Sequence, residues 1–202
     1  MILSGKPFAP AAERNRESIA SVIVPLFSDI KTVLEIGSGT GQHAVYFAAR
    51  MPHLVWQTSD LTHNHDGIRQ WIAESALSNV MPPLELDVDE ARWPVERVDA
   101  VFTANTLHIM DWSSVQKMFF GVSRVLDDDG LFCVYGPFRY GGKHTSESNA
   151  RFDASLRSQN PLWSVRDMND VRELAGRNSL EPEQDHDLPA NNRLLVFRKK
   201  SD

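Results

Sequence analysis

A short motif rich in glycine contains the residue types best suited to binding a ligand. The motif is Glu35-Ile36-Gly37-Ser38-Gly39-Thr40-Gly41. An apolar, partly β-branched run precedes it and apolar residues recur at helical spacing after it, which predicts a strand-to-helix turn. Glycine permits backbone angles and close approaches that a Cβ would obstruct, and the start of a helix presents free N–H groups. The motif therefore predicts a site for a phosphate or a nucleoside, and its alternative is a tight structural turn.

The spacing of the glycines helps to choose between these ligands. The dinucleotide fingerprint is Gly-x-Gly-x-x-Gly, in which the third glycine lets the helix pack close to the strand. Gln42 occupies that third position here. The sequence therefore disfavours a nicotinamide dehydrogenase, an alternative that a titration with the dinucleotide would test.

A second candidate binding residue, Asp60, follows the next predicted strand, residues 54–58. In doubly wound nucleotide-binding folds, an acidic residue about twenty positions beyond the glycine loop hydrogen-bonds the ribose hydroxyls. A carboxylate suits two hydroxyl donors because it offers two acceptor oxygens. We predict that Asp60 binds ribose, and a loop-capping aspartate is the alternative interpretation.

Asn105 and His108 follow the predicted fourth strand, residues 98–104. Ligands of α/β sheets lie at the carboxyl ends of the strands, so Asn105 is predicted to face a cofactor and His108 a substrate. A histidine in that position can remove a proton from an attacking nucleophile. A histidine that orients another group, or one that is merely packed, fits the sequence equally well.

Other residues with reactive side chains do not form a site. His63 and His65 lie in a polar loop without further ligands, so exposure to solvent is favoured over metal binding. Cys133 is the only cysteine and lies in mid-strand, where we expect it in the core. The sequence therefore predicts neither a metal site nor a disulfide.

The elements that position these residues alternate between strands and helices, which is typical of an α/β sheet. A helix is predicted from residue 11 to about residue 27. Pro82 and Pro83 indicate a break in the chain, after which residues 84–88 are predicted to be the third strand, with its end at Asp87. Residues 188–192 form a short turn between the last two strands, so those strands must be antiparallel. If the first of them runs parallel to the rest, the turn lies on the cofactor side. Asn191 and Asn192 then face the substrate, unless they are present only for their turn conformations.

A long connection follows the fifth predicted strand, residues 131–135. About thirty residues, 136–165, separate it from the next sheet helix, whereas connections of a few residues are usual. The connection includes a predicted helix with Phe152 and Leu156 four positions apart. Because it leaves the carboxyl end of a strand, we expect it to cover the substrate pocket, with a surface elaboration as the alternative.

Composition excludes several kinds of partner. The 202 residues have a formal net charge of −6, and their 21 basic residues are scattered. Nucleic-acid interfaces are usually basic patches, so no nucleic-acid partner is expected. The sequence also lacks a long apolar run, which predicts a cytoplasmic protein without a membrane span.

Several pieces of the sequence resemble a known family. The motif at residues 35–41 resembles the cofactor loop of class I S-adenosylmethionine-dependent methyltransferases. Nearly the whole chain is similar to a small methyltransferase-like family catalogued as a domain of unknown function. The pieces that carry this resemblance are residues 12–15, 35–44, 56–60, 135–138, 148–153 and 189–192. The family pattern differs at Thr58, at residues 128–130 and at Ser164, all outside the predicted cofactor acids.

The resemblance implies a fold and a set of contacts. The fold is a Rossmann-like doubly wound sheet of seven strands, mostly parallel with a reversed last strand, with helices on both faces, in a single domain over residues 1–202. Helix 11–27 covers the cofactor as a lid, where Arg14 and Asn15 either touch it or form a solvated helix start. Glu35 holds the methionine end, Asp87 accepts from the adenine amine unless it only caps a turn, and the backbone N–H of Val88 donates to a ring nitrogen.

The resemblance also implies S-adenosylmethionine as cofactor and an unidentified small molecule as methyl acceptor. Methyl transfer would proceed by in-line displacement, for which alignment of the nucleophile is the main requirement. A binding module that retains the cofactor without turnover is the alternative. The predicted cofactor-binding residues are Asn15, Glu35, Gly37, Ser38, Gly39, Gly41, Asp60, Leu61, Asp87, Val88 and Asn105. The predicted substrate-side residues are Tyr140, Asn149, Asn191 and Asn192, with His108 as the candidate base.

Overall fold

The computed structural model describes residues 5–201, and the chain divides into two units between Asp87 and Val88. Each unit has its own strands and its own buried apolar residues. The assignment of residues 1–202 to a single domain remains a prediction.

The first unit alternates helices with three parallel strands in the order β3-β2-β1. Its elements are α1 (Pro10–Leu26), β1 (Thr32–Ile36), α2 (Gln42–Ala48), β2 (Val55–Asp60), α3 (His65–Ser75) and β3 (Val80–Glu85). The apolar run of β1 is buried from Val33 onward, as its sequence predicts. The predicted helix at 11–27 is confirmed as α1, which begins with Pro10 and buries Ile19 and Ile23.

The third strand differs from its predicted position. We predicted residues 84–88, because Pro82 and Pro83 were expected to precede the strand, whereas β3 is Val80–Glu85 and contains both prolines. Proline is tolerated on an edge strand, where a missing N–H interrupts little pairing. The carbonyl of Pro82 is hydrogen-bonded to a side chain of the neighbouring strand: Gln57 Nε2 donates to it at 2.7 Å. Asp87 therefore lies two residues beyond the strand rather than at its tip.

The second unit has four strands in the order β4-β5-β9-β8, and two short strands pair with the end of β5. These two short strands are additional to the seven that we predicted. Its elements are β4 (Val98–Ala104), α4 (Trp112–Val125), β5 (Leu126–Tyr140), β6 (Lys143–His144), α5 (Glu147–Gln159), β7 (Arg166–Asp167), α6 (Met168–Arg177), β8 (Leu180–Leu188) and β9 (Asn192–Lys199). The predicted helix around Phe152 and Leu156 is confirmed as α5.

The last strand is reversed, as predicted. β9 pairs antiparallel with both β5 and β8, so β8 runs in the same direction as β5 and β4. The turn Pro189–Asn191 consequently lies at the carboxyl end of β5, where Pro137 pairs with Asn192.

The fifth strand is longer than its predicted span of residues 131–135. β5 begins at Leu126 and includes the acidic residues 127–129, which precede the predicted strand. The irregularity is absorbed by a register shift against β4 and by Asp129, whose φ is 62°. The core of this unit includes Phe119, Phe132 and Cys133, which confirms the predicted burial of the cysteine. Within residues 5–201, no helix is long and apolar enough to cross a membrane.

Candidate functional site

The glycine loop adopts backbone angles that side chains disfavour. The φ angles of Gly37, Gly39 and Gly41 are 72°, 58° and 89°, in the left-handed region where a Cβ adds strain. Gly41 precedes the first residue of α2, and a Cβ on it would lie 3.1 Å from the Cα of Ile68 in α3. The loop thus requires glycine both for its conformation and for the close approach of two helices.

Glu35, at the end of β1, is a buried carboxyl group beneath this loop. Its Oε2 accepts hydrogen bonds from Ser38 Oγ at 2.8 Å and from Trp56 Nε1 at 3.2 Å. Burial raises the pKa of Glu35 from 4.5 to about 7. The two hydrogen-bond donors lower this pKa in part, and the negative charge of Asp60 raises it further. Near neutral pH this carboxyl is therefore part protonated, and a cation beside it would favour ionisation.

Asp60 joins the tip of β2 to the glycine loop. Its Oδ2 accepts from the backbone N–H of Gly39 at 2.7 Å, and its Oδ1 accepts from Leu61 N at 2.7 Å and from Asn64 Nδ2 at 2.8 Å. Each carboxylate oxygen has two lone pairs, so Oδ2 retains one acceptor position beside Gly39. The structure therefore brings the predicted ribose ligand directly to the predicted cofactor loop.

The two histidines that follow Asp60 behave differently from each other. His63 is exposed, as predicted, whereas His65 is buried and its Nε2 lies 3.0 Å from the Asp60 carbonyl oxygen. The predicted exposure of His65 is wrong, because α3 begins at that residue and packs its ring against the end of β2. Among the described residues, no group of histidine, cysteine or acidic side chains is arranged to hold a metal ion.

Helix α1 contacts the start of α2 through polar side chains. Asn15 Oδ1 lies 2.7 Å from His43 Nε2, while Arg14 is exposed. Burial lowers the pKa of His43 to about 4, which keeps the ring neutral. Gln42 Oε1 accepts from Ala9 N at 2.5 Å, and its buried Nε2 has no hydrogen-bond partner among the described residues. The sequence analysis predicts a cofactor contact for Asn15 but for neither Gln42 nor His43, although polar residues directly after a glycine turn are a usable signal.

Leu61, Asp87 and Val88 are three further predicted cofactor residues. The backbone N–H of Leu61 donates a hydrogen bond to Asp60 Oδ1, and the residue is 41% exposed. Asp87 is exposed. Val88, which begins the second unit, is buried. Contacts of these three residues with adenine remain predictions.

In the second unit, Asn105 and His108 lie close to Gly136. Asn105 has a φ of 61°, and its backbone N–H donates to the Tyr135 carbonyl at 2.8 Å. A Cβ on Gly136 would lie 3.8 Å from His108 Nδ1 and 4.0 Å from Asn105 Oδ1. The structure therefore brings these two predicted residues together at the carboxyl ends of β4 and β5.

His108 is a buried neutral base. Its ring is 6% exposed and packs edge-on against Phe152 with ring centres 5.1 Å apart. Burial and then the positive charge of Arg166 lower the pKa of His108 to about 4. The backbone of the same segment is held by the insertion and by β7, since Ser164 N donates to the His108 carbonyl and Arg166 Nε to the Leu107 carbonyl. The 136–165 insertion thus contacts the predicted base from two sides.

Two of the predicted substrate-side residues meet in the structure. Asn149 in α5 is buried, and its Nδ2 donates to the Asn191 carbonyl at 3.0 Å. Asn191 has a φ of 57°, the left-handed turn conformation that the sequence offered as the alternative to a substrate role. Asn192 donates its side-chain amide to the Pro189 carbonyl at 3.3 Å.

Tyr140, the fourth predicted substrate-side residue, belongs to a polar cluster on β8 and β9. Its hydroxyl donates to Asp185 Oδ2 at 3.0 Å, and the same carboxylate accepts from Arg193 Nε at 2.8 Å. Burial and the neighbouring Asp185 raise the pKa of Tyr140 to about 12. The hydroxyl therefore stays protonated, and its substrate role remains a prediction.

A family model confirms the resemblance that the sequence suggested. The family described as "Protein of unknown function (DUF938)" matches residues 6–199. The chain belongs to this family. Membership in DUF938 accounts for the resemblance along nearly the whole chain, and the family description assigns no activity.

Solved structures show the fold of this DUF938 protein. An O-methyltransferase family protein from Burkholderia thailandensis matches with a TM-score of 0.84 at 17% identity, over 95% of this chain and 57% of the other. Human N-acetylserotonin methyltransferase, solved in complex with SAM, matches with a TM-score of 0.81 at 14% identity, over 95% of this chain and 53% of the other. The YcgJ protein of Bacillus subtilis matches with a TM-score of 0.72 at 15% identity, over 92% and 100%.

These similarities confirm the predicted Rossmann-like methyltransferase fold of the DUF938 chain. The chain spans a little over half the length of the first two structures, so it corresponds to part of those proteins. Identities of this size show fold alone, and function is argued from the site.

Proposed function

We propose that this protein binds S-adenosylmethionine and transfers its methyl group to a small molecule. The observation that carries the proposal is the contact between Asp60 Oδ2 and the Gly39 N–H at 2.7 Å. It joins an acceptor suited to ribose hydroxyls with the open face of a glycine loop, where a Cβ on Gly39 would meet no atom within 4 Å. A glycine loop with open space beside a fixed acceptor is suited to a nucleoside.

The methionine end of the cofactor also has a fitting partner. Glu35 is 2% exposed, and no lysine or arginine among the described residues forms an ion pair with it. A buried carboxyl with a pKa of about 7 is stabilised in its ionised form by an approaching ammonium group. Glu35 would therefore hold the α-amino group, while Ser38 fixes the carboxyl by its hydrogen bond at 2.8 Å.

Other predicted contacts complete the proposal. Asp87 would accept from the adenine amine, Val88 N would donate to a ring nitrogen, and Leu61 would cover the base with its exposed side chain. Asn105 would face the cofactor. Asn15 would act through His43, to which it is hydrogen-bonded, at the start of α2.

The bound cofactor would supply a methyl group activated by the adjacent sulfonium. The residues of the second unit would align the acceptor and receive its proton. His108 is neutral at pH 7 and so has a free ring nitrogen for this role, although its low pKa makes it a weak base. The acceptor would lie against His108, with Tyr140, Asn149, Asn191 and Asn192 as further contacts.

Calorimetric titration tests cofactor binding. S-adenosylmethionine and S-adenosylhomocysteine should bind the wild-type protein, and NAD should not. Asp60→Ala should weaken the binding of S-adenosylmethionine and of S-adenosylhomocysteine by about tenfold or more, because it removes hydrogen bonds to a charged group. Asp66→Ala, which removes an exposed carboxylate of α3, is the matched control and should leave affinity unchanged. Equal binding by wild type and Asp60→Ala would overturn the assigned site.

Turnover needs a separate experiment. Radiolabelled methyl groups should pass from S-adenosylmethionine to a small-molecule fraction of a cell extract. Asp60→Ala should reduce the transfer by about fivefold or more at cofactor concentrations near the wild-type Kd, because tenfold weaker binding lowers the occupancy by that factor. Cofactor binding without any labelled product would instead identify a binding module.

A further inference from the structure

A cavity lies wholly within the second unit, and none of its lining residues is a predicted cofactor or acceptor contact, although Ser164 and Arg166 also hold the segment that contains His108. Its volume is about 330 Å³, within the range of ~300–1,000 Å³ that is typical of small-molecule sites. It is bounded by the end of β5, the start of α4, β7 and α6. Trp112 and Leu174 give it apolar surface, and Arg139 and Arg166 give it positive charge.

Arg166 is a buried cation whose hydrogen bonds all go to neutral groups. It is 8% exposed, and it donates to Ser164 Oγ at 2.9 Å and to the carbonyls of Leu107, Met110 and Leu162. No carboxylate of the described residues forms an ion pair with it. Burying a cation without a contacting anion is costly, and an anion in the cavity would offset that cost.

Arg139 places a second guanidinium at the same cavity. Its Nε is buried and has no hydrogen-bond partner among the described residues. Buried donors are normally satisfied, and each unsatisfied one calls for an explanation. The Nε is itself closed off from the cavity, but the guanidinium lines it, and its planar group is suited to a carboxylate.

The acidic groups around the cavity are already engaged or face solvent. Asp167 accepts from the backbone N–H groups of Gly142 at 2.5 Å and Asn169 at 3.0 Å. Glu173 forms an ion pair with Arg177, and Asp170 is exposed on the first turn of α6. Asp167 attracts Arg139 through space, but no hydrogen bond joins them. Asp111 and Asp153 attract Arg166 through space, but neither forms an ion pair with it. The positive charge of the two arginines is therefore only partly offset, and an anion can contact it directly.

The apolar wall indicates the shape of that ligand. Trp112 lies beside Arg166, with the guanidinium carbon 5.7 Å from the indole centre, and Leu174 extends the apolar surface. Aromatic rings pack well against an indole face. We propose that this cavity binds a small organic anion, an aromatic carboxylate in chemical class, with its carboxylate on Arg139 and Arg166 and its ring against Trp112. This binding is independent of the cofactor site.

The test uses benzoate as the probe and benzyl alcohol as its uncharged analogue. The full-length protein labelled with ¹⁵N should show saturable benzoate-induced shifts of the Trp112 indole resonance, assigned with Trp112→Phe, and benzyl alcohol should shift it little. Arg139→Gln should weaken benzoate binding by about tenfold or more, as expected for a lost bidentate ion pair. Arg151→Gln, an exposed arginine of α5, is the matched control and should bind as the wild type does.

Three results would overturn the proposal: unsaturable shifts, equal affinity of Arg139→Gln, or competition between benzoate and S-adenosylmethionine for one site. If Arg139→Gln does not fold, Arg139→Lys carries the test, because it keeps the charge but loses the paired donors. Its affinity for benzoate should fall below that of the wild type while S-adenosylmethionine binding persists. An Arg139→Lys variant with wild-type benzoate affinity would contradict the assigned contact.

Discussion

The indole N–H of Trp56 donates to Oε2 of Glu35 at 3.2 Å, across the pair of strands β1 and β2. Ser38 donates to the same oxygen from the glycine loop. The protonation of one buried carboxyl is thereby coupled to the strand pair and to the loop that we propose as the cofactor site. Its raised pKa has consequences for stability and for binding.

We predict that Glu35 makes the protein less stable as the pH rises. Its pKa is about 7 in the folded protein and 4.5 when exposed, so between these values the folded state binds the extra proton. The contribution is therefore complete below pH 4.5 and is lost as the pH rises through 7, a loss of about 3 kcal/mol at most. Glu35→Gln should abolish this loss and be more stable than wild type at about pH 8, in urea unfolding followed from pH 5 to 8. An unchanged pH slope in the variant would contradict the assignment.

We also predict that cofactor binding releases a proton through the same group. An ammonium beside Glu35 lowers the pKa of the carboxyl, so near pH 6.5 binding should expel a fraction of a proton. Calorimetry in buffers of different ionisation enthalpy measures that fraction. Glu35→Gln should bind without releasing it, whereas equal release by the variant would assign the proton to another group.

Two glycines of the loop should respond differently to alanine. Gly41→Ala adds a Cβ 3.1 Å from the Ile68 backbone at a φ of 89°, so it should lower the free energy of unfolding by about 2 kcal/mol or more. Gly39→Ala meets no atom within 4 Å and adds only the strain of a positive φ, about 1 kcal/mol. Its Cβ nevertheless projects from the loop that we assign to the cofactor. Gly39→Ala should therefore lose more affinity than stability, measured by urea unfolding and calorimetry on the same samples.

His108 should remain neutral well below pH 6. Because its pKa is lowered from 6.5 to about 4, the unfolded chain binds a proton in that interval that the folded protein does not. The contribution of His108 to the free energy of unfolding is present above pH 6.5 and is lost as the pH falls toward 4. This loss is about 3 kcal/mol at most. NMR titration of the imidazole resonance, assigned with His108→Gln, should show the neutral ring at pH 5.5. A midpoint near 6.5 would show that the ring is solvated.

Local sequence patterns predicted the strand-to-helix glycine turn and the position of Asp60 beside it. The glycine spacing and the acid after the next strand, Asp60, depend on residues that are neighbours along the chain or at the ends of adjacent strands. The fourth strand, 98–104, was predicted at its observed limits. Short-range patterns suffice where one strand and one turn determine the geometry.

The errors arose where tertiary contacts overrode local preference. Pro82 and Pro83 suggested a break, but an edge position permits them within β3. The polar residues around His65 predicted an exposed loop, yet His65 is the first residue of α3 and is buried. Arg139 and Arg166 were not selected, because they are 27 positions apart and only the pairing of β5 with β7 makes them neighbours.

The two prolines in β3 also determine what that edge of the sheet can do in solution. An open edge strand presents backbone N–H and C=O groups to which another chain can pair. Pro82 and Pro83 have no N–H, and the Pro82 carbonyl is already taken by Gln57. A second copy would therefore meet an edge with interrupted donors and an occupied acceptor. Extension of this sheet from one molecule to the next is disfavoured at β3, which protects the strand beside Asp60 from aggregation through its backbone.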